Sequence, residues 1–145
     1  MSGKKQKKVS VSGYAMTVVK AYFGWGKSGV WNRNEQICAL GGRITDKNIR
    51  VQAVLPMLSS GASPAYVKVG AETWLYAIWA FCDMGMKLVG CAHSHPGGLP
   101  VFLSPADRTV HSLMHPGGVS IVLNPRCMEL CAYNGNGIKL PVRII

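Results

Sequence analysis

The chain has 145 residues, 48% of them hydrophobic, which is enough for one buried core and too short for two ordinary domains. Sixteen Lys and Arg against six Asp and Glu give a formal charge of +10 at pH 7; four of those lysines stand in the first eight residues, so a disordered basic tail is expected over 1–8 and a single domain over 9–145. No apolar run approaches the roughly 18 to 20 residues of a membrane span, and no hydrophobic stretch follows the basic start as a secretion signal requires.

In chain order, Val9 to Phe23 carries helical spacing, and Gly24-Trp25-Gly26-Lys27-Ser28-Gly29 breaks it. Strands over about 35–44 and 49–55 flank the polar turn Thr45-Asp46-Lys47-Asn48. Pro56 to Pro64, with Ser59-Ser60-Gly61-Ala62-Ser63 inside it, reads as a loop. Trp74, Leu75, Ile78, Phe81 and Cys82 follow helical spacing and define a helix over 71–84, with Glu72 in the first turn where the helix dipole favours a carboxylate. Lys87-Leu88-Val89-Gly90-Cys91-Ala92 suits a buried strand better than a helix. After a further helix come strands over about 118–124, 127–133 and 138–144, with Asn134-Gly135-Asn136-Gly137 as a hairpin signal. This order predicts an α/β domain of three layers around a mixed central β-sheet flanked by helices.

One stretch dictates a chemistry by its spacing. His93-Ser94-His95-Pro96 is followed by seven residues and then by Ser104-Pro105-Ala106-Asp107. If the preceding strand continues through His95, the two histidines leave one face of the pleat about 6 to 7 Å apart at their backbones. Pro96-Gly97-Gly98-Leu99-Pro100 must end that strand. A helix then starts with Ser104 as N-cap, Pro105 at the first position and Asp107 at the third. Strand end, turn and helix start would thus bring His93, His95 and Asp107 around one point. Two nitrogens and one carboxylate, with a fourth position for water, form the ligand set of a catalytic zinc site. Ser94 points to the opposite face, where a supporting or packing role fits it better than catalysis.

His-x-His-Pro-x7-Ser-x-x-Asp resembles the motif of the JAMM (MPN-plus) zinc metalloproteases, the family of the deubiquitinating subunit of the proteasome lid and of many shorter prokaryotic relatives. The resemblance implies an MPN, cytidine-deaminase-like fold, one zinc ion held by His93, His95 and Asp107, and Ser104 close to the substrate carbonyl. It also implies an upstream glutamate. Only Glu35 and Glu72 precede His93, and Glu72 belongs to a helix start, whereas Glu35 opens a strand, Glu35-Gln36-Ile37-Cys38-Ala39-Leu40-Gly41-Gly42. That segment is similar to the family's Glu-x-x-Gly-Leu-x-x-Gly, with Cys38 where Gly is common. Glu35 is therefore the expected proton acceptor and Ser104 the expected donor to the developing oxyanion, the two catalytic side chains.

The activity implied is hydrolysis of the peptide or isopeptide bond after the C-terminal Gly-Gly of ubiquitin or a ubiquitin-fold modifier, alone or within a proteasome-like assembly, with the Pro56 to Pro64 loop near the substrate. Two other classes stand beside it. One is a different branch of the family, processing sulfur-carrier-type proteins or associated with DNA repair; the other is a non-catalytic scaffold, against which the retained ligands argue. The basic charge would suit nucleic acid or an acidic protein, but no helix-turn-helix, zinc-finger or RNA-binding motif is present. Cys38, Cys82, Cys91, Cys127 and Cys131 are an odd set without framework spacing, as expected of free thiols in the cytoplasm. Cys127 and Cys131 would lie about 13 Å apart along a strand, too far for one metal. His111 and His115, four apart without an intervening glutamate, are expected on the helix surface.

Overall fold

The computed structural model describes residues 6–26, 35–59, 61–63, 66–95 and 100–145. Its first element is a strand, β1 (Lys8–Val11), and helix α1 (Gly13–Phe23) begins only after it. Val9 and Val11 are buried in the core while Lys8 and Ser10 alternate with them, so a short period of two was hidden inside what reads as a helical pattern. Ser12 caps α1 by accepting from the Ala15 N–H, and Gly24, left-handed at φ 71°, ends it. Residues 27–29 of the expected break lie outside the described residues.

Strands β2 (Ile37–Ile44) and β3 (Asn48–Pro56) pair antiparallel across the expected turn. Inside the segment read as a loop, Gly61–Ser63 forms a short strand, β4, which pairs antiparallel with β5 (Tyr66–Lys68) just beyond it. Helix α2 (Ala71–Asp83) follows, then β6 (Lys87–Ser94), helix α3 (Pro105–Met114) and strand β7 (Val119–Asn124). The next strand, β8 (Glu129–Tyr133), starts two residues later than expected, because Cys127 sits in a turn whose Met128 takes a positive φ of 55°. The expected last strand is cut by Pro141 into β9 (Lys139–Leu140) and β10 (Val142–Ile144).

The mixed sheet has the order β10-β1-β3-β2-β6-β7-β8-β9. The chain's end is therefore no simple meander: β9 pairs with β8 at one edge and β10 with β1 at the other, although one residue separates them. Consecutive Cα atoms are about 3.8 Å apart, so the two edges must come together and the sheet must curl back on itself. The Val9 N–H donating to the Pro141 carbonyl at 3.0 Å joins that seam.

Ala15, Met16, Val19 and Phe23 of α1 pack with Val9, Leu40, Val51, Ile121 and Leu123 on one face of the sheet. Trp74, Ala77 and Phe81 of α2 pack with Ile37, Ala39 and Cys91 on the other, where Val110 and Met114 of α3 join them. A register shift sets Leu40 opposite Gly90 but Gly41 opposite Leu88, leaving Val89 as an extra residue in β6. This bulge lets Val89 and Ala92 both face α1 while Cys91 faces α2. Gly41 lies under the Phe81 ring, which a Cβ there would overlap, so α2 can seat closely on β2.

Candidate metal centre

Strands β6 and β7 are parallel neighbours joined by α3, and a parallel pair needs such a crossover. His93 lies at the C-terminal end of β6, with Ile37 of β2 and Val122 of β7 as its cross-strand partners. His95 is one residue past the strand, but its backbone N–H still bonds the Leu123 carbonyl at 2.8 Å. The two rings accordingly sit on one side with centroids 5.2 Å apart. The connecting residues 96–99, read as the strand-ending turn, lie outside the described residues.

Asp107 arrives from the first turn of α3. The Ser104 hydroxyl accepts from the Asp107 N–H at 3.1 Å while Asp107 Oδ2 accepts from the Ser104 N–H at 3.0 Å, a reciprocal capping box that fixes the carboxylate. His93 Nε2 is 3.0 Å and His95 Nε2 3.8 Å from that same Oδ2. The candidate ligand atoms of His93, His95 and Asp107 all lie within 4.8 Å of one another, a group able to hold a metal ion. His95 Nδ1 is 2.8 Å from the Pro100 carbonyl, which can only accept, so Nδ1 donates and Nε2 of the neutral ring keeps its lone pair for the centre.

Glu35 approaches the same His95 nitrogen, with Oε1 at 3.7 Å from Nε2 and only 6% of the residue exposed. Its neighbour Gln36 is held twice by Ser94: the Gln36 N–H donates to the Ser94 hydroxyl, and the Ser94 N–H to the Gln36 carbonyl, each at 3.0 Å. Ser94 thus faces away from the rings yet anchors the glutamate segment. Glu72 stands exposed in the first turn of α2, away from the cluster.

Burial raises the Glu35 carboxyl above the ordinary carboxylate range, and Asp107 adds to this while His93 and His95 partly oppose it. Burial acts the same way on Asp107, but its contacts with His93 and His95 and the Ser104 N–H prevail and hold it well below that range. For His95, burial would lower the value; Asp107, the Pro100 carbonyl and Glu35 outweigh it and raise it.

His111 and His115 are not on the surface. They are 1% and 3% exposed, because α3 bridges the parallel pair and turns this stripe toward the sheet. His111 Nδ1 lies 2.7 Å from the Ser120 hydroxyl and His115 Nε2 3.4 Å from the Cys91 sulfur. Two further residues frame the centre: Pro100 through its carbonyl and Phe102, whose ring meets His95 edge-on at 5.0 Å. Both belong to an irregular segment held by the Tyr133 hydroxyl donating to the Val101 carbonyl at 3.1 Å, a long-range tie that no local pattern announces.

No described helix is long and apolar enough to cross a membrane. No curated protein matches the chain significantly. Among solved structures, the solution structure of protein DSY2949 from Desulfitobacterium hafniense is similar in fold, with a TM-score of 0.71 at 18% identity over 94% of this chain and 92% of that one. Residues 30–131 match the family described as prokaryotic homologs of the JAB domain, a span that takes in Glu35 and the whole His-x-His to Asp107 motif. With an MPN/JAB fold and a His-His-Asp centre inside the matched span, the chain belongs to the prokaryotic JAB-domain family.

Proposed function

We propose that the chain is a zinc-dependent isopeptidase of the deubiquitinase type, cutting after the C-terminal Gly-Gly of ubiquitin or a ubiquitin-fold modifier. The observation that supports this most is the buried Glu35 carboxylate 3.7 Å from His95 Nε2, beside a three-ligand group rather than within it. A structural site is closed by four protein ligands, whereas three ligands and a neighbouring base leave a position open. Two imidazoles and a carboxylate also suit zinc, and Asp107 stays ionised to bind it.

Zinc, when bound by His93, His95 and Asp107, supplies Lewis-acid chemistry, lowering the pKa of water to about 7 and polarising a carbonyl. Glu35 accepts the proton released by water on attack and returns it to the leaving amine, work that its raised affinity for protons suits. The Ser104 oxygen already accepts from the Asp107 N–H, which leaves its O–H free to donate to the oxyanion. Pro100 keeps His95 in one tautomer throughout.

The test is incubation with a panel of ubiquitin-fold fusions, with and without chelator. Cleavage after Gly-Gly that chelator abolishes, and that bulkier residues in place of the tail glycines prevent, is the expected result. Cleavage indifferent to those glycines would overturn the substrate assignment.

A further inference from the structure

Helix α2 buries Trp74, Ala77 and Phe81 and leaves its opposite side bare. Leu75, Tyr76 and Trp79 are 63%, 64% and 71% exposed, and they continue the stripe Glu72, Leu75, Tyr76, Trp79, Asp83 at i, i+3, i+4, i+7 and i+11. Such spacing places them along one face. An almost wholly apolar depression of about 570 Å³ runs along it between Glu72 and Cys82. Single exposed apolar residues are ordinary, but a continuous aromatic stripe of this kind marks a binding surface.

Charge decides what fits there. The whole chain carries sixteen bases and six acids, yet α2 holds two of those acids, Glu72 and Asp83, and no base. They bracket the apolar stripe at its two ends. Two copies packed face to face would set acid against acid, Glu72 against Asp83 when antiparallel and against Glu72 when parallel. A partner with an apolar stripe and basic ends meets no such repulsion.

We infer that this face of α2 is a docking surface for an amphipathic helix of another protein, with an apolar stripe flanked by Lys or Arg. The helix lies on the stripe as in helix-in-groove recognition, its basic ends against Glu72 and Asp83. Because α2 covers the same face of the sheet that carries His93, the surface would hold the catalytic domain on a partner without using any residue of the metal centre.

The experiment uses the full chain and two labelled helical peptides with the same Leu stripe at i, i+3, i+4 and i+7, one flanked by Lys and the other by Glu. Fluorescence anisotropy should show the Lys peptide binding roughly tenfold tighter, the effect of two rim ion pairs, with the gap narrowing as salt rises. Tyr76→Ala with Trp79→Ala should abolish binding without changing the melting temperature, since both side chains are exposed. Glu72→Lys with Asp83→Lys should reverse the preference toward the Glu peptide. Equal affinity for both peptides, or no binding of either, overturns the inference. So does a concentration-dependent dimer in sedimentation that the Tyr76→Ala, Trp79→Ala variant abolishes, which would make a second copy the occupant.

Discussion

Glu35 shows what one buried residue can contribute. It lies beside His95 but outside the three-ligand group, so Glu35→Gln should keep zinc and fold and lower turnover by at least about a hundredfold. Elemental analysis beside a steady-state assay checks this; zinc lost together with activity would make Glu35 a ligand. His115 offers a test of stability. Burial, reinforced by His111, lowers it from the ordinary 6.5 to about 3, so the His115 ring stays neutral in the folded chain where in an unfolded one it takes up a proton. Above 6.5 neither state is protonated and the residue adds no pH dependence. As pH falls from there toward about 3, stability drops by about 1.4 kcal/mol per unit. Urea titrations at several pH values should give His115→Phe a shallower slope than the wild type across that window, and equal slopes would refute the assignment. That both α3 histidines are buried could not be read from their spacing, because i and i+4 name a shared face but not its direction. The place of Glu35 beside the histidines, by contrast, was expected as soon as Glu72 was seen to belong to a helix start.

Among the elements, α3 is where local sequence and site geometry coincide. Ser104, Pro105 and Asp107 form the capping box that their order announces, and that box aims Asp107 at the histidines. Ser104→Ala should cost about 1 kcal/mol, a melting shift of about 3 °C in a chain of this size. Turnover should fall further than this stability loss explains, with zinc retained, and Ser104→Thr should restore the cap. A Ser104→Ala variant with unchanged turnover would leave Ser104 a cap only. Elsewhere local patterns were weaker guides. Strand β1 was read as part of a helix because Val9 and Val11 also fit helical spacing onto α1, and β4 was hidden in a run of small turn residues. A strand of four or three residues has too few alternations to outweigh such a signal.

The whole molecule supplies the remaining prediction. Three candidate ligands from β6, its C-terminal extension and α3 can hold a metal together only when those elements are assembled, so metal affinity would also be folding stability. Zinc at a hundred times its dissociation constant adds about 2.7 kcal/mol. The purified chain should therefore hold about one zinc, and chelator should lower its melting temperature by several degrees, while a His93→Ala, His95→Ala variant binds no zinc and does not respond. A wild type that melts identically with and without chelator contradicts this. The candidate ligand group, the helix start at Ser104 and the strands and helices behind the α/β class were legible in the sequence alone, because each depends on residues close along the chain whose spacing restricts the backbone. Only the tertiary structure decided the rest: that β9 and β10, one residue apart, close opposite edges of the sheet, that α3 turns His111 and His115 inward, and that α2 exposes Trp79 while burying Trp74. These outcomes depend on which faces find partners across the fold, and contacts between residues far apart in sequence leave no local periodicity to read.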